Sequence, residues 1–365
     1  MREKFDIVVV GGGISGCATF FELSKQRDLK IALVESAEIA SKTTGESGGY
    51  IRRFNTDPFL ASLASESFDY YQNFESEVGA SCEFRKTGLV SLVTEANFET
   101  LKGQITELQA AGHEVIIKRK APTASLQAAN YAESGHVFIY EPGLGNIDTR
   151  LACRGWVEAA QKNGGRLFEN QKVLNIIHSN NRIQGIETTG GIIEAETIIL
   201  SAGAWSKALL APLPIDSSQI TARSFQYNIY KGAAQQLDTA FMDNIEGFYT
   251  APFRNGSVFA GTLGQDRLVD NGLNFDHQKD AEIAETLHQL MRKHFSWVDG
   301  AERFVIQRSY DAYTDDGRGV VKSFTELPGL ILASGWSSGG IKSAPAVARR
   351  VSKLVIENQS RLVGA

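Results

Sequence analysis

The sequence predicts an α/β fold, from two kinds of segment. Three short apolar runs each end in a glycine-rich turn: IVVV into GGGISG at residues 7–16, IIL into SAGAWS at 198–206, and LILA into SGWSSGG at 330–340. Such runs, without alternation, suit strands buried on both faces of a parallel sheet. Residues 221–230 (TARSFQYNIY) and 246–263 alternate instead, as antiparallel strands do.

Taken in order, residues 5–10 form the first buried strand, and Gly11, Gly13 and Gly16 supply G-x-G-x-x-G before a helical period over 17–25. The first glycine permits a tight strand-to-helix turn, the second lets backbone approach a pyrophosphate, and the third lets helix pack on strand. The helix N-terminus, with unpaired N–H groups, favours that negative charge. A second strand, 30–34, ends in Glu35, about 20 residues beyond the glycines, where a ribose-binding carboxylate belongs. Amphipathic helices follow over 58–79 and 96–111, carrying Phe59, Leu60, Leu63, Phe68 and Tyr71. Residues 166–177, 182–188 and 191–193 read as successive strands with turns at 179–181 and 189–190, before the buried run 194–200. A helix is expected over 280–294, and a last one over 344–357 after the strand 330–333. Together the motifs specify a dinucleotide; NAD and FAD remain alternatives from the first turn alone, and three such turns along the chain favour a long cofactor crossing the sheet.

Bulk composition narrows the function. The 365 residues are 42% hydrophobic and carry a net charge of −5, which argues against nucleic-acid binding. No stretch reaches the roughly 18 apolar residues of a membrane span. The start MREKFD lacks the apolar core and cleavage site of a secretory signal. Cys17, Cys82 and Cys153 are widely spaced and odd in number, so a reduced, cytoplasmic setting is expected. The histidines 113, 136, 178, 277, 288 and 294 show no metal-ligand spacing, and no metal is expected.

With these residues in place, the chain resembles the superfamily of D-amino-acid, sarcosine and glycine oxidases. The resemblance is carried by GGGISG with Glu35, the loop 41–53, IILSAGAWS, GWSSGGIKSAPAVA, YEPGLGNID at 140–148 and YTDDG at 313–317. It implies a Rossmann-like FAD-binding domain of the glutathione-reductase type, with an inserted α+β substrate domain built on an antiparallel sheet. The FAD domain would comprise 1–75, 145–215 and 300–365, and the substrate domain 76–144 and 216–299. Candidate cofactor contacts are Gly11, Gly13, Ile14, Ser15, Gly16, Glu35 and Ser36 at the AMP and pyrophosphate end. The others are Ser41, Lys42, Thr43, Thr44, Ser47, Gly48 and Gly49 in the loop, then Val173, Ala202, Gly203, Trp205, Gly335, Ser338, Gly339, Gly340, Ile341 and Lys342. The N–H groups of Gly339, Gly340 and Ile341 would face the flavin's pyrimidine oxygen.

The resemblance also implies a carboxylate clamp, for which cations are the usual residues. Lys342 matches a lysine of the sarcosine oxidases, and one of Arg52 and Arg53 matches their arginine, the other being a solvated or cofactor-facing charge. Tyr313, with Tyr50 and Tyr249, is a candidate to line the ring. Ser309 aligns with the cysteine that attaches FAD covalently in sarcosine oxidases, so non-covalent FAD is expected. Ser257 aligns with their oxygen-activating lysine. Cys17 is expected to be a packing residue. The expected activity is FAD-dependent oxidation of a C–N bond in an amino acid or secondary amine, by hydride transfer to flavin N5, imine release and reoxidation by O2 or another acceptor. Two alternatives involve protein partners: a flavoprotein that modifies side chains of another protein, as in tryptophylquinone biogenesis, and the FAD subunit of a hetero-oligomeric amine dehydrogenase.

Overall fold

The computed structural model describes residues 3–55, 57–127, 129, 131, 135–233, 235–264, 266–269 and 274–363, with the side chains of 303–305 and 359–363 excepted. Two large sheets organise them, beside a small one of Tyr50–Ile51, Gly145–Asn146 and Arg85–Lys86. In the first, five strands run parallel in the spatial order Leu330–Ser334, Gly191–Leu200, Glu3–Val10, Ile31–Val34, Arg166–Phe168. Ile7, Val8, Val9, Ile198, Ile199 and Leu200 are fully buried, as strands covered on both faces must be. The three glycine-rich turns therefore emerge side by side from adjacent strands, at their carboxyl ends.

Gly191–Leu200 serves two pairings in one element. Residues 191–194 pair antiparallel with Arg182–Thr188, which pairs in turn with Val173–Ser179, while residues 193–200 pair parallel with Glu3–Val10 and 198–200 with Leu330–Ser334. The strand expected over 166–177 is divided in two. Asn170 turns at φ +56, and Gln171 donates its N–H to Glu35 O, so the chain hooks around the end of Ile31–Val34 and places its two halves at opposite edges of the sheet. The helix expected over 58–79 is likewise broken at Asn73 into Pro58–Gln72 and Phe74–Val78.

The second sheet holds nine strands and is antiparallel except where Ala240–Asp243 meets Leu89–Thr94. Thr221–Lys231, Phe248–Phe253 and Ser257–Thr262 lie in it, as their alternation implies. So does Glu302–Tyr313, which pairs with Thr221–Lys231 along its whole length. Residues 302–313 thus stand with the second sheet, although the sequence reading grouped 300–365 with the first. Helix His277–His294 is fastened to this sheet by the buried carboxylate of Asp280, which accepts from Arg267 and from Arg308 Nε at 2.6 Å. Helices Ile14–Ser24, Thr149–Lys162, Pro58–Gln72 and Gly340–Val363 bury Phe20, Trp156, Tyr71 and Val351 in one core against the parallel sheet. No helix among the described residues is long and apolar enough to cross a membrane.

Candidate active site

A cavity of about 990 Å³ runs from the first glycine turn, across the carboxyl ends of the parallel strands, to the inner face of the second sheet. Ligand pockets span roughly 300–1,000 Å³, so this one suits an extended molecule with a substrate beside it. The crevice outside the carboxyl ends of strands is the usual ligand site of such sheets.

Its first end is built from backbone. Gly11 has φ +108, and a Cβ there would lie 2.6 Å from Ser201 O. At Gly16 a Cβ would fall 1.8 Å from Gly11 O, which is why the helix can sit this close only without a side chain. Gly13 is the N-cap of Ile14–Ser24 and caps with no side chain; Ile14 N–H donates to Thr44 Oγ1 at 2.9 Å. Glu35 accepts from Gly12 N–H at 2.7 Å and from Ala37 N–H at 2.9 Å, and so joins the glycine turn to the end of the second strand.

The loop after it crosses to the second sheet. Gly48 admits the ring of Phe259, which would lie 2.6 Å from a Cβ, and Gly49 (φ +70) lies against Ile147 O. Thr43 Oγ1 donates to Tyr310 O at 2.5 Å, and Ser309 Oγ lies 3.4 Å from that hydroxyl. Ser309 is buried and does not line the cavity.

The last turn is held in an unusual shape. Ser337 and Ser338 are consecutive non-glycine residues at positive φ, +49 and +63. Such backbone costs on the order of 1–3 kcal/mol per residue and persists only where neighbours enforce it. Here Ser337 N–H donates to Ala312 O at 3.0 Å, and Ser338 N–H donates to Asp311 Oδ2 at 2.8 Å. Gly339 N–H is used within the turn, donating to Trp336 O at 2.7 Å. The first N–H groups of a helix have no intrahelical partner, and Gly340 and Ile341, which begin helix Gly340–Val363, both line the cavity. That helix starts four residues earlier than the sequence pattern suggests and brings Lys342 into its first turn.

Lys342 and Arg52 stand on the cavity wall together. Burial, then the nearby Arg52 charge, pushes the Lys342 ammonium down to about 7, against the pull of Asp311. Lys342 Nζ donates to Ser338 O at 3.1 Å. Arg52 is lowered by burial, with Glu141 opposing, and burial in turn pushes the Glu141 carboxyl up to about 7. Burial also raises Asp311 to about 6, although two backbone N–H groups donate to it.

The adjacent arginine does something else. Arg53 is buried outside the cavity, where it pairs with Asp69 at 2.5 Å, donates to Ser65 O and lies 4.3 Å from the centre of the Phe68 ring. The carboxylate-clamp reading of Arg53 is corrected on this ground, since its donors already face helix Pro58–Gln72. Tyr313 is corrected too: it lies behind the wall, bonded to Ser338 Oγ at 2.7 Å and to Asp266. Gly16 also lies off the cavity, as a packing glycine. All the other candidate residues line it, from Gly11, Gly13, Ile14 and Ser15 through to Lys342. Tyr50 and Tyr249 do so as well; Ser257 does not, its hydroxyl donating to Arg254 O at 2.6 Å, while Phe259 and Thr262 of that strand line the cavity. Cys17 is fully buried and donates to Gly12 O.

Sequence reasoning missed Phe225, Tyr227, Phe241, Met242 and Asp266 on the wall. For Phe225 and Tyr227 a signal existed, since i and i+2 of an alternating strand share a face. For Asp266 there was none.

The residues fit FAD on an observation independent of any relative. Along this one cavity, Ser41 Oγ, Ser201 Oγ, Arg52 Nε and Trp336 Nε1 are buried with no hydrogen-bond partner among the described residues. Buried polar groups of this kind are normally satisfied.

Comparison with known proteins decides the class. The chain matches the DAO family profile, FAD dependent oxidoreductase, over residues 6–354. It belongs to that family, and it is an FAD-dependent oxidoreductase. Among curated relatives, a glycine oxidase of Geobacillus kaustophilus is 25% identical, over 97% of this chain and 94% of its own. The human peroxisomal sarcosine oxidase is 27% identical, over 97% and 92%. Among solved structures, the L-proline dehydrogenase of P. horikoshii superposes with a TM-score of 0.85 at 23% identity, covering 98% of this chain and 94% of the other, which establishes the shared fold.

Proposed function

We propose that this FAD enzyme oxidises the C–N bond of a carboxylate-bearing amine, an amino acid or a secondary amine derived from one. The observation carrying the reading is the placement of Arg52 and Lys342 on one wall beside the start of helix Gly340–Val363. Two cations enclosed among Tyr50, Tyr249, Phe241 and Met242 are matched by an anionic substrate group in a partly apolar site. The oxidases and the dehydrogenase named above support the same class.

FAD, when bound, supplies the acceptor for a hydride from the carbon next to nitrogen. The protein's share is binding and orientation. Gly11, Gly13, Ile14 and Ser15 hold the pyrophosphate, Glu35 and Ser36 the adenosine ribose, and Val173, Ala202, Gly203 and Trp205 the adenosine end more broadly. The loop carrying Ser41, Lys42, Thr43, Thr44, Ser47, Gly48 and Gly49 lines the same cavity and would hold the cofactor there. Gly335, Ser338, Gly340 and Ile341 hold the ring end, where the helix N-terminus stabilises negative charge. Arg52 and Lys342 fix the substrate carboxylate. Attachment is non-covalent, since Ser309 stands outside the cavity and all three cysteines are free and buried. Free thiols also support a reducing, cytoplasmic location. Two folding units follow the two sheets: 1–75, 145–215 and 314–365 against 76–144 and 216–313.

The test is anaerobic bleaching of the flavin by a panel of amino acids and N-methyl amino acids. Bleaching by a free member of the panel is the expected result. Silence across the panel overturns the small-molecule reading in favour of a protein partner.

A further inference from the structure

The cavity wall is amphoteric. Near Arg52 and Lys342, at the end away from Glu35, it carries the carboxylates Asp311 and Asp266, and these differ in how they are held. Asp311 is engaged at both oxygens, accepting Ala312 N–H at 2.8 Å on Oδ1 and Ser338 N–H at 2.8 Å on Oδ2. Its work is to fix the strained turn ahead of the last helix. Asp266 instead accepts one side-chain bond, from the Tyr313 hydroxyl, at Oδ2. Tyr313 is held from its other side by Ser338 Oγ, and Arg223 covers its ring at 4.8 Å. The tyrosine thus sets the position of Asp266 from behind the wall.

Resting on the function proposed above, we infer that Asp266 forms the ammonium subsite of the same cavity, taking a proton from the substrate nitrogen before oxidation. The substrate class is therefore a zwitterion, with carboxylate toward Arg52 and Lys342 and ammonium toward Asp266. In the step, one N–H bond breaks and one O–H bond forms on Asp266. The electron pair stays on nitrogen, and that pair must be free before the neighbouring carbon can lose hydrogen with its electrons. A carboxylate suits this role when burial raises it, as burial does for Asp266 against the opposing Tyr313 hydrogen bond and Arg223 charge. The groups facing it are Tyr313 and Asp311 from strand Glu302–Tyr313, Arg223 from Thr221–Lys231 and Tyr249 from Phe248–Phe253. Lys342, from the last helix, enters through Asp311.

The experiment compares two ligands that cannot be oxidised, titrated calorimetrically into the FAD-loaded enzyme. 2-Aminoisobutyrate has no α-hydrogen, and pivalate is its isostere with methyl in place of ammonium. Wild type is expected to prefer 2-aminoisobutyrate by about tenfold or more near pH 7, as a charge-assisted hydrogen bond supplies. Asp266→Asn is expected to abolish that preference while leaving pivalate affinity within about twofold. Tyr313→Phe removes a bond that holds the carboxyl down, so it retains the preference but loses it at a higher pH than wild type as the solution is acidified. It also decides the matter if Asp266→Asn fails to hold FAD. No preference in wild type, an undiminished preference in Asp266→Asn, or an unmoved acid limb in Tyr313→Phe overturns the inference. If an amino acid bleaches the wild-type flavin while any of these holds, the inference fails alone and the proposed function stands. If nothing in the panel bleaches it, the function fails and takes this inference with it.

Discussion

The two ends of the cavity are made of different material. The end at Gly11–Gly16 is backbone: what matters there is the absence of side chains, and Gly11 and Gly16 each answer to a backbone contact that a Cβ would violate. At the far end, Arg52, Asp266, Asp311 and Lys342 are side chains brought from separate parts of the chain, and their charges perturb one another. The first end tolerates almost no substitution but carries no information about substrate. The second should tolerate substitution structurally while changing what is recognised.

The largest effect that tests this contrast belongs to Gly16→Ala. With a methyl 1.8 Å from Gly11 O, the helix and turn cannot both keep their places. Purified protein is expected to carry essentially no flavin, read from its visible absorbance, and a normal flavin content would break the comparison at its root.

Next comes the pair of neighbouring arginines. Arg52→Ala should raise KM for a carboxylate-bearing substrate by about 10²-fold, the scale for losing one partner of an enclosed charge pair, with a small change in Tm. Arg53→Ala should do the reverse. It removes the Asp69 partner and the packing on Phe68, lowering stability by about 2 kcal/mol in urea unfolding with KM nearly unchanged. That figure is below a fully buried pair because Asp69 is exposed.

Lys342 sharpens the far end through pH. Its ammonium is depressed to about 7, so it is charged in the folded protein only below that point, whereas the unfolded chain keeps it charged to about 10.5. Between the two the unfolded state binds more protons, so its contribution to stability is present above about 10.5 and is lost as pH falls toward 7. Lys342→Met should therefore gain Tm over wild type progressively across that window and level off below it. In wild type, affinity for pivalate should fall as pH rises through about 7, and a flat profile would remove Lys342 from the clamp.

The smallest effect is expected at Glu141. Its carboxyl is raised to about 7, so the stability it contributes is complete below about 4.5 and is lost as pH rises through 7. Glu141→Gln should flatten that slope in a series of thermal melts between pH 5 and 8. An unchanged slope would mean that Arg52 is held without it.

Much of this was legible before the fold was known, where information is local. A strand followed by G-x-G-x-x-G and a helix must turn in one way, so Glu3–Val10, the turn and Ile14–Ser24 follow from adjacent residues. The alternation of 221–230 likewise announces one face of an antiparallel sheet. Boundaries were less legible where a tertiary contact overrides the pattern. Residues 166–177 look like one strand, but the hook around Glu35 divides them at Asn170. Residues 302–313 carry no mark of which sheet they join, because that depends on the partner strand Thr221–Lys231.

The sequence by itself determined the glycine turn at which the cofactor is proposed to anchor, since such a turn is defined by backbone sterics within a few residues. The family resemblance it carries also narrowed the proposed carboxylate clamp to Lys342 and two candidate arginines. Only the tertiary structure shows Arg52 on the cavity wall and Arg53 away from it, because Asp69 and Phe68 claim Arg53. It alone moved Tyr313 behind the wall and brought Asp266 onto it. A side chain's role there depends on which distant groups share its cavity, and on how far burial moves their charges.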